Sequence, residues 1–493
     1  MNQKTEFNAN GKTPITSPIC LLIWFLLIQL PWSATAATNL KSEIDAILNP
    51  GKKPHLSFGV YAQSITRGDV LLDYHGTRKL IPASVSKVFT AYASMKKIKP
   101  TSTFSTKVYR TGILKEGLLT GNLYLKGGGD PSLVSERMWM LVNELVRSGI
   151  RKINGNLIAD PSFFDSVRTP KSRPTYLKDQ AYNAPVGALS FNFNTTTIYV
   201  RPGESPGDRP IVYTDPENSY IDIVNQAKTG PSNSKSTLAV KRTSFVQGDI
   251  GDTVLLRGTI PENGREQRFY RNIVNPALYT AHMFKTFWER RGLVLKGNIL
   301  EGKVPGNAKE VLDFESLPLW QIVWGLNKFS NNFVADQIMK KLGAEAWGAP
   351  GTMQKGVTAL GDVLEDIGIS RKSYIIRDGS GLNRKTRVTP QQVVTVLKAA
   401  HTDFEISSEF VASLGVAGED GTLRRRLNSS STRGNFRAKT GSLDGVNSLA
   451  GYTSLSNGEV VAFAIILNDP RIKYGRMTGW VDRIAKAIGS YRR

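Results

Sequence analysis

The chain has 493 residues, room for two or three domains at about 150 residues each. Its 40% hydrophobic and 9% aromatic content is that of a globular protein and excludes wholesale disorder. Lysine and arginine outnumber acids 64 to 41, a formal +23 that favours polyanionic surroundings.

Residues 1–36 read as a secretory signal peptide. Lys4 and Lys12 precede an apolar run from Ile19 to Leu30, and Ala34-Thr35-Ala36 supplies small residues for cleavage after Ala36. The run is short of the roughly 20 residues a membrane span needs, so export with cleavage is expected, and an uncleaved anchor is the alternative. Cys20, the single cysteine, leaves with the leader, and the mature chain then has no thiol or disulfide. The leader carries two lysines against Glu6, so the mature protein keeps +22. An exported protein rarely meets nucleic acid. Anionic cell-wall polymer or the membrane surface fits that charge better, and the periplasm is the expected location because no wall-anchoring signal is visible.

Leu40 to Leu48 reads as a short helix. Leu56 to Gln63 and Val70 to Tyr74 read as strands about a Thr66-Arg67-Gly68-Asp69 turn. Pro82-Ala83-Ser84 opens a helix that runs to about Lys97, before Pro100. From 101 to 265 the texture changes to short strands and polar stretches, with one helix from Ser135 to Ser148. This region is expected to be an insertion of one or two small, largely β domains, and no internal repeat is visible. Residues 270 to 430 look mainly helical, with turns at Asp378-Gly379-Ser380-Gly381 and Asp420-Gly421. Phe436 to Thr440 reads as a strand, and Leu449 to Thr453 with Val460 to Leu467 as a hairpin about Asn457-Gly458. The last helix places Trp480, Ile484, Ala485 and Ile488 on one face. Strands from both ends are expected in one sheet, giving catalytic segments at 37–100 and 266–493 around the insert.

Three short motifs carry chemistry: Ser84-Val85-Ser86-Lys87, Ser330-Asn331-Asn332 and Lys439-Thr440-Gly441. Each is weak alone, because S-x-x-K recurs at Ser94 and Ser232, S-x-N at Ser190, and K-T-G at Lys228. Context separates them. A nucleophilic serine needs a nearby base and an available backbone N–H for the oxyanion. Ser84 sits at a helix start, where N–H groups lack intrahelical partners, and Lys87 returns to its face one turn later. Ser94 is mid-helix and Ser232 lies in a polar loop. After Lys228-Thr229-Gly230 comes Pro231, which has no N–H to donate, whereas Lys439-Thr440-Gly441 is followed by Ser442. Ser330-Asn331-Asn332 falls between two apolar helical stretches and can project from the connection.

The three motifs in this order resemble those of penicillin-binding proteins and class A β-lactamases. Gly127-Gly128-Gly129-Asp130-Pro131, Tyr182-Asn183-Ala184-Pro185, Ala188 to Asn192, Asp378 to Leu382 and Ala417 to Leu423 narrow the likeness. So does the long insert between the first two motifs. From about residue 40 to the C-terminus the chain resembles the penicillin-binding protein 4 family of D-Ala-D-Ala carboxypeptidases, peptidase family S13. The resemblance implies an α+β fold: a β-lactamase/transpeptidase-like domain, an antiparallel sheet flanked by helices, split by the insert. It also implies serine-type carboxypeptidase or endopeptidase action on peptidoglycan stem peptides, with β-lactam antibiotics as inhibitors.

By that resemblance Ser84 is the nucleophile and Lys87 its base. Ser330 and Lys439 relay the proton to the leaving D-alanine, and Asn332 holds the substrate amide. Ser84 and Ser442 N–H groups form the oxyanion hole, and Lys439, Thr440, Gly441 and Ser442 border the terminal carboxylate. Arg384 matches an arginine of a side-chain pocket, and Asp179 an acidic partner for a diaminopimelate amine. Lys87 has to be neutral to act as base, which burial and the charge of Lys439 favour. No cofactor or metal is expected: His55, His75, His282 and His401 are isolated in sequence, without ligand spacing. A serine β-lactamase shares the motifs but lacks so long an insert, and a non-catalytic wall- or penicillin-binding protein is the remaining alternative.

Overall fold

The computed structural model describes residues 32–170, 179–243, 251–473 and 475–492. Most of the signal peptide, with Cys20, lies outside these residues. Helix α1 (Trp32–Leu48) begins before the expected cleavage site, and its stretch beyond that site, with Leu40, Ile44 and Leu48, is buried in the core. Among the described residues no helix is long and apolar enough to cross a membrane.

One six-stranded antiparallel sheet is built from both ends of the chain. Its strands are β1 (Ser57–Ser64), β2 (Val70–Tyr74), β3 (Gly415–Val416), β4 (Phe436–Leu443), β5 (Val446–Ser454) and β6 (Val460–Asn468). Their order is β2-β1-β6-β5-β4-β3, so β1 closes directly onto β6, with Phe58 opposite Leu467 and Ser64 opposite Val461. Period-two alternation decides what each face covers. Val461, Phe463, Ile465 and Leu467 of β6 face α1 and the terminal helix α6 (Thr478–Gly489), whose Val481, Ile484 and Ile488 are buried. Ala462, Ala464 and Ile466 face the other way. There lie α2 (Lys87–Ile98), α3 (Leu319–Phe329), α4 (Asn332–Trp347) and α5 (Pro390–Thr402). The small residues of β6 lie under this helical layer, where α2 is buried over nearly its whole length.

The insert has its own core, made of several smaller sheets and two helices, Ser135–Arg147 and Pro276–Arg290. Its extent differs from the expected 101–265. Strand Lys309–Glu315 pairs antiparallel with Ser105–Arg110, and Ile299–Glu301 pairs parallel with Leu157–Asp160. These pairings carry the insert on to residue 315, and the strands from 294 to 315 replace part of the helical texture expected there. The cause is non-local pairing, which has no local sequence signal. The second K-T-G copy, Lys228–Gly230, is a short strand inside the insert, paired with Thr259–Pro261.

Candidate active site

Pro82-Ala83-Ser84 does not open α2 directly. Ala83–Ser86 form a 3-10 turn, and α2 starts at Lys87. Ala83 has φ 49°, a left-handed conformation that costs an L-residue about 1–2 kcal/mol. The surrounding contacts hold it there. Ser448 Oγ on β5 donates to the Pro82 carbonyl at 2.6 Å. At Gly441 on β4, a Cβ would come within 2.7 Å of the Pro82 oxygen and 3.0 Å of the Ser84 nitrogen, so only glycine lets this strand lie against the turn. Ala83, Val85 and Ser86 are buried while Ser84 stays partly accessible.

Lys87 is fully buried, and its Nζ donates to Ser84 Oγ at 2.9 Å, Asn332 Oδ1 at 2.7 Å and the Ser380 carbonyl at 2.6 Å. The carbonyl is set by two aspartates. Asp336, one turn into α4 and fully buried, accepts from the N–H groups of Gly379 and Ser380, each at 3.0 Å. Asp378 accepts from Gly381 at 2.8 Å and Asn383 at 2.9 Å, and Thr90 of α2 donates to the Gly379 carbonyl at 2.8 Å. This loop lies hard against the Ser84 turn: Gly381, at φ 78°, has space for no Cβ, which would sit 2.0 Å from the Ala83 oxygen.

The connection between α3 and α4 delivers the second motif. Ser330 caps α3 in a left-handed conformation (φ 57°), and Asn331 caps α4, its side chain accepting from Val334 N at 3.1 Å. Asn332, the first residue of α4, therefore faces Lys87 with its Oδ1 and donates from Nδ2 to the Tyr182 carbonyl of the insert at 2.9 Å. Ser330 Oγ accepts from Lys439 Nζ at 2.8 Å, and Lys439 also donates to the Thr440 carbonyl at 2.7 Å. Lys439 is fully buried; burial first, then the neighbouring charges of Lys87 and Arg426, hold its amine well below the usual lysine range. Thr440 Oγ1 donates to Thr422 Oγ1 at 2.8 Å.

Ser84, Lys87, Ser330, Asn332 and Lys439 are thus linked by direct hydrogen bonds in two groups, Ser84–Lys87–Asn332 and Ser330–Lys439, on adjoining elements. Thr440, Gly441 and Ser442 follow along β4, with Ser442 Oγ accepting from Asn447 Nδ2 at 3.2 Å. Arg384 is exposed and donates to the Asp444 carbonyl at 2.7 Å, just beyond that strand. Asp179 is an ion-pair partner of Arg271 at 3.3 Å, and Gln180 Nε2 donates to it at 3.1 Å. The motifs alone do not reveal Ser380, Asp336, Thr422 or Tyr182 as neighbours of the cluster. Asp336 had a signal: a lone acid one helical turn after Asn332 in an apolar stretch.

A half-buried serine bonded to a buried lysine, with a second serine–lysine pair alongside on a helix-flanked antiparallel sheet, defines a hydrolase that works through an active-site serine. The chain belongs to the D-Ala-D-Ala carboxypeptidase 3 (S13) family, whose model matches residues 40–484. It is 32% identical to a D-alanyl-D-alanine carboxypeptidase of Actinomadura sp. strain R39, over 88% of this chain and 82% of that one. With the D-alanyl-D-alanine carboxypeptidase DacB of Haemophilus influenzae it shares 27% identity over 92% and 93%. The crystal structure of H. influenzae penicillin binding protein 4 superposes with a TM-score of 0.78 at 25% identity, covering 92% of this chain and all of that one. A second structure of that protein, complexed with a β-lactam, matches with a TM-score of 0.73 at 26% identity and the same coverage.

Proposed function

We propose that the chain is an exported, periplasmic D-Ala-D-Ala carboxypeptidase and/or endopeptidase of peptidoglycan stem peptides, acylated by penicillins at Ser84. The 2.9 Å bond between Ser84 Oγ and the buried Lys87 carries this reading. A neutral lysine amine has two N–H groups and one lone pair. Once Lys87 has lost the proton it directs at Ser84, the Asn332 amide oxygen and the Ser380 carbonyl, which can only accept, keep its two N–H groups and turn the lone pair to the Ser84 hydroxyl. Lys87 then removes the Ser84 proton as Oγ attacks the carbonyl between the two D-alanines. The Ser84 and Ser442 N–H groups hold the oxyanion. The C–N bond breaks as the proton taken up by Lys87 passes through Ser330, backed by Lys439, to the departing amine, which leaves Lys87 neutral again. Water, with its proton taken by Lys87, releases the acyl group and restores Ser84. Thr440 and Ser442 border the carboxylate of the leaving residue, Asn332 meets the substrate amide, and Arg384 and Asp179 bind the stem-peptide side chain. The basic surface associates with anionic cell-wall polymer or the membrane surface.

The test is labelling with a fluorescent penicillin, followed by mapping of the modified peptide. A lasting adduct on Ser84 is expected, and Ser84→Ala should lower peptidase turnover by about a millionfold, as loss of a serine nucleophile does. Fast penicillin turnover without lasting label would instead favour a β-lactamase, and neither label nor turnover from folded protein would leave a binding role.

A further inference from the structure

The insert meets the reaction centre at the Tyr182 backbone carbonyl, which accepts from Asn332 Nδ2 at 2.9 Å. An Asn amide can sit either way round, and only its surroundings choose. Here Lys87 requires oxygen on one side, and the Tyr182 carbonyl requires N–H on the other. The carbonyl thereby locks the orientation in which Asn332 Oδ1 faces Lys87.

What holds the carbonyl lies deeper in the insert. Tyr182 is the middle residue of a 3-10 turn, Ala181–Asn183. Asn272, at the end of strand Gln267–Asn272 and buried to 2% exposure, brackets that turn: its Nδ2 donates to the Gln180 carbonyl at 3.1 Å and to the Asn183 carbonyl at 3.0 Å. Its backbone N–H donates to the Asp179 carbonyl at 3.2 Å. Its Oδ1 in turn accepts from Arg242 Nε at 3.2 Å, and Arg242 faces Asp252 at 3.9 Å. Asp252 accepts from Val274 N at 2.8 Å, two residues beyond Asn272. Asn272, Arg242 and Asp252 are buried and each is fixed by a neighbour of defined polarity, so the backbone of the turn is held at Gln180 and Asn183, on either side of the Tyr182 carbonyl, although the Tyr182 side chain is exposed.

We infer that Asn272 is a positioning residue for acylation: through the 180–183 turn and the Tyr182 carbonyl it fixes the Asn332 amide, and with it the hydrogen bond to Lys87. The inference rests on the acyl-enzyme reading of Ser84. It assigns the insert a part in catalysis that its separate core would not suggest.

The test is the acylation of the full chain by fluorescent penicillin, resolved into the non-covalent dissociation constant and the first-order acylation step. Asn272→Leu keeps the volume and removes the amide. The expected result is an acylation step slowed by about tenfold, in keeping with small misplacements remote from the chemistry, and a dissociation constant within about twofold of wild type. Val254→Ala, in the insert's core strand Asp252–Arg257, is the control for general loosening and should lower thermal stability while leaving the acylation step unchanged. Should Asn272→Leu not fold, Asn272→Ser carries the same comparison. Wild-type acylation in a folded Asn272 variant would overturn the inference alone. So would equal slowing by Val254→Ala at matched loss of stability. Absence of labelling in the wild type would overturn the acyl-enzyme reading and this inference together.

Discussion

The catalytic region and the insert both bury ionisable groups, but to different ends. Around Ser84 two buried lysines, Lys87 and Lys439, meet hydroxyl, amide and carbonyl oxygens, with buried Asp336 and Asp378 behind them accepting from backbone N–H groups. In the insert, burial pushes Asp130 and Asp252 up to about 6 and pulls His282 down to about 4. Their neighbours are structural: Ser132 for Asp130, Arg242 and the Val274 N–H for Asp252, Ser219 for His282. A perturbed ionisation therefore does not by itself mark chemistry in this molecule. What distinguishes the site is a serine hydroxyl within hydrogen-bond reach of a fully buried lysine, on a turn left accessible, with the Asn332 and Ser380 oxygens fixing the amine.

The largest effect that would sharpen this contrast comes from Lys439→Met. On the proposed proton path, in which Lys439 backs Ser330, this loss should slow peptidase turnover by about a thousandfold. The same variant tests the electrostatics. The folded amine lies below its unfolded value of about 10.5, so the unfolded chain holds the proton more tightly between the two, and wild-type stability rises with pH through that window. In Lys439→Met that rise should vanish from urea-unfolding midpoints taken from about pH 6 to about pH 10. A slope that persists would show that Lys439 titrates like a surface lysine and that the contrast is false.

Asp336→Ala comes next. It leaves the Gly379 and Ser380 N–H groups without their buried acceptor, at about 1–3 kcal/mol each, so the fold should lose roughly 2–6 kcal/mol. It also releases the carbonyl that fixes Lys87, so penicillin acylation should slow by about tenfold or more. Chemical denaturation and labelling rates read the two effects separately. A destabilised variant with a wild-type labelling rate would mean that the aspartate supports the loop but not the lysine.

The motifs were legible because their chemistry is tied to local structure. Ser84 and Lys87 are three residues apart on one turn and its helix, and Pro231 disqualified one of two K-T-G copies by lacking an N–H. The sheet built from both termini was also legible, since β1, β5 and β6 show hydrophobic runs with clear turns. Less was visible where partners are distant in sequence. The insert was expected to end at 265 because nothing in Lys309–Glu315 announces its pairing with Ser105–Arg110 some 200 residues earlier. The Tyr182 carbonyl that meets Asn332 has no side-chain signature at all. Ser84 was expected on the α-helix itself; Ala83 in a left-handed conformation instead makes a separate turn, a choice imposed by Ser448 and Gly441 from the far end of the chain.

The smallest effect tests the insert's side of the comparison. Asp130 is buried and its Oδ1 accepts from the Ser132 N–H and hydroxyl, each at 2.6 Å, while its Oδ2 has no hydrogen-bond partner among the described residues. Burial raises it from 3.8 to about 6, against the smaller pull of Ser132 and Arg137. The folded protein thus holds this proton more tightly than the unfolded chain, and Asp130 lowers stability as pH rises from about 4 to about 6. Asp130→Asn keeps the acceptor for Ser132 and cannot ionise. Its melting temperature should match wild type near pH 4 and exceed it above pH 6, by an amount equivalent to at most about 3 kcal/mol. Penicillin acylation should not change. If the two melting curves stay parallel across pH, Asp130 ionises as an ordinary surface carboxylate does. If acylation falls as well, the line between a region that buries charge for structure and one that buries it for chemistry is drawn in the wrong place.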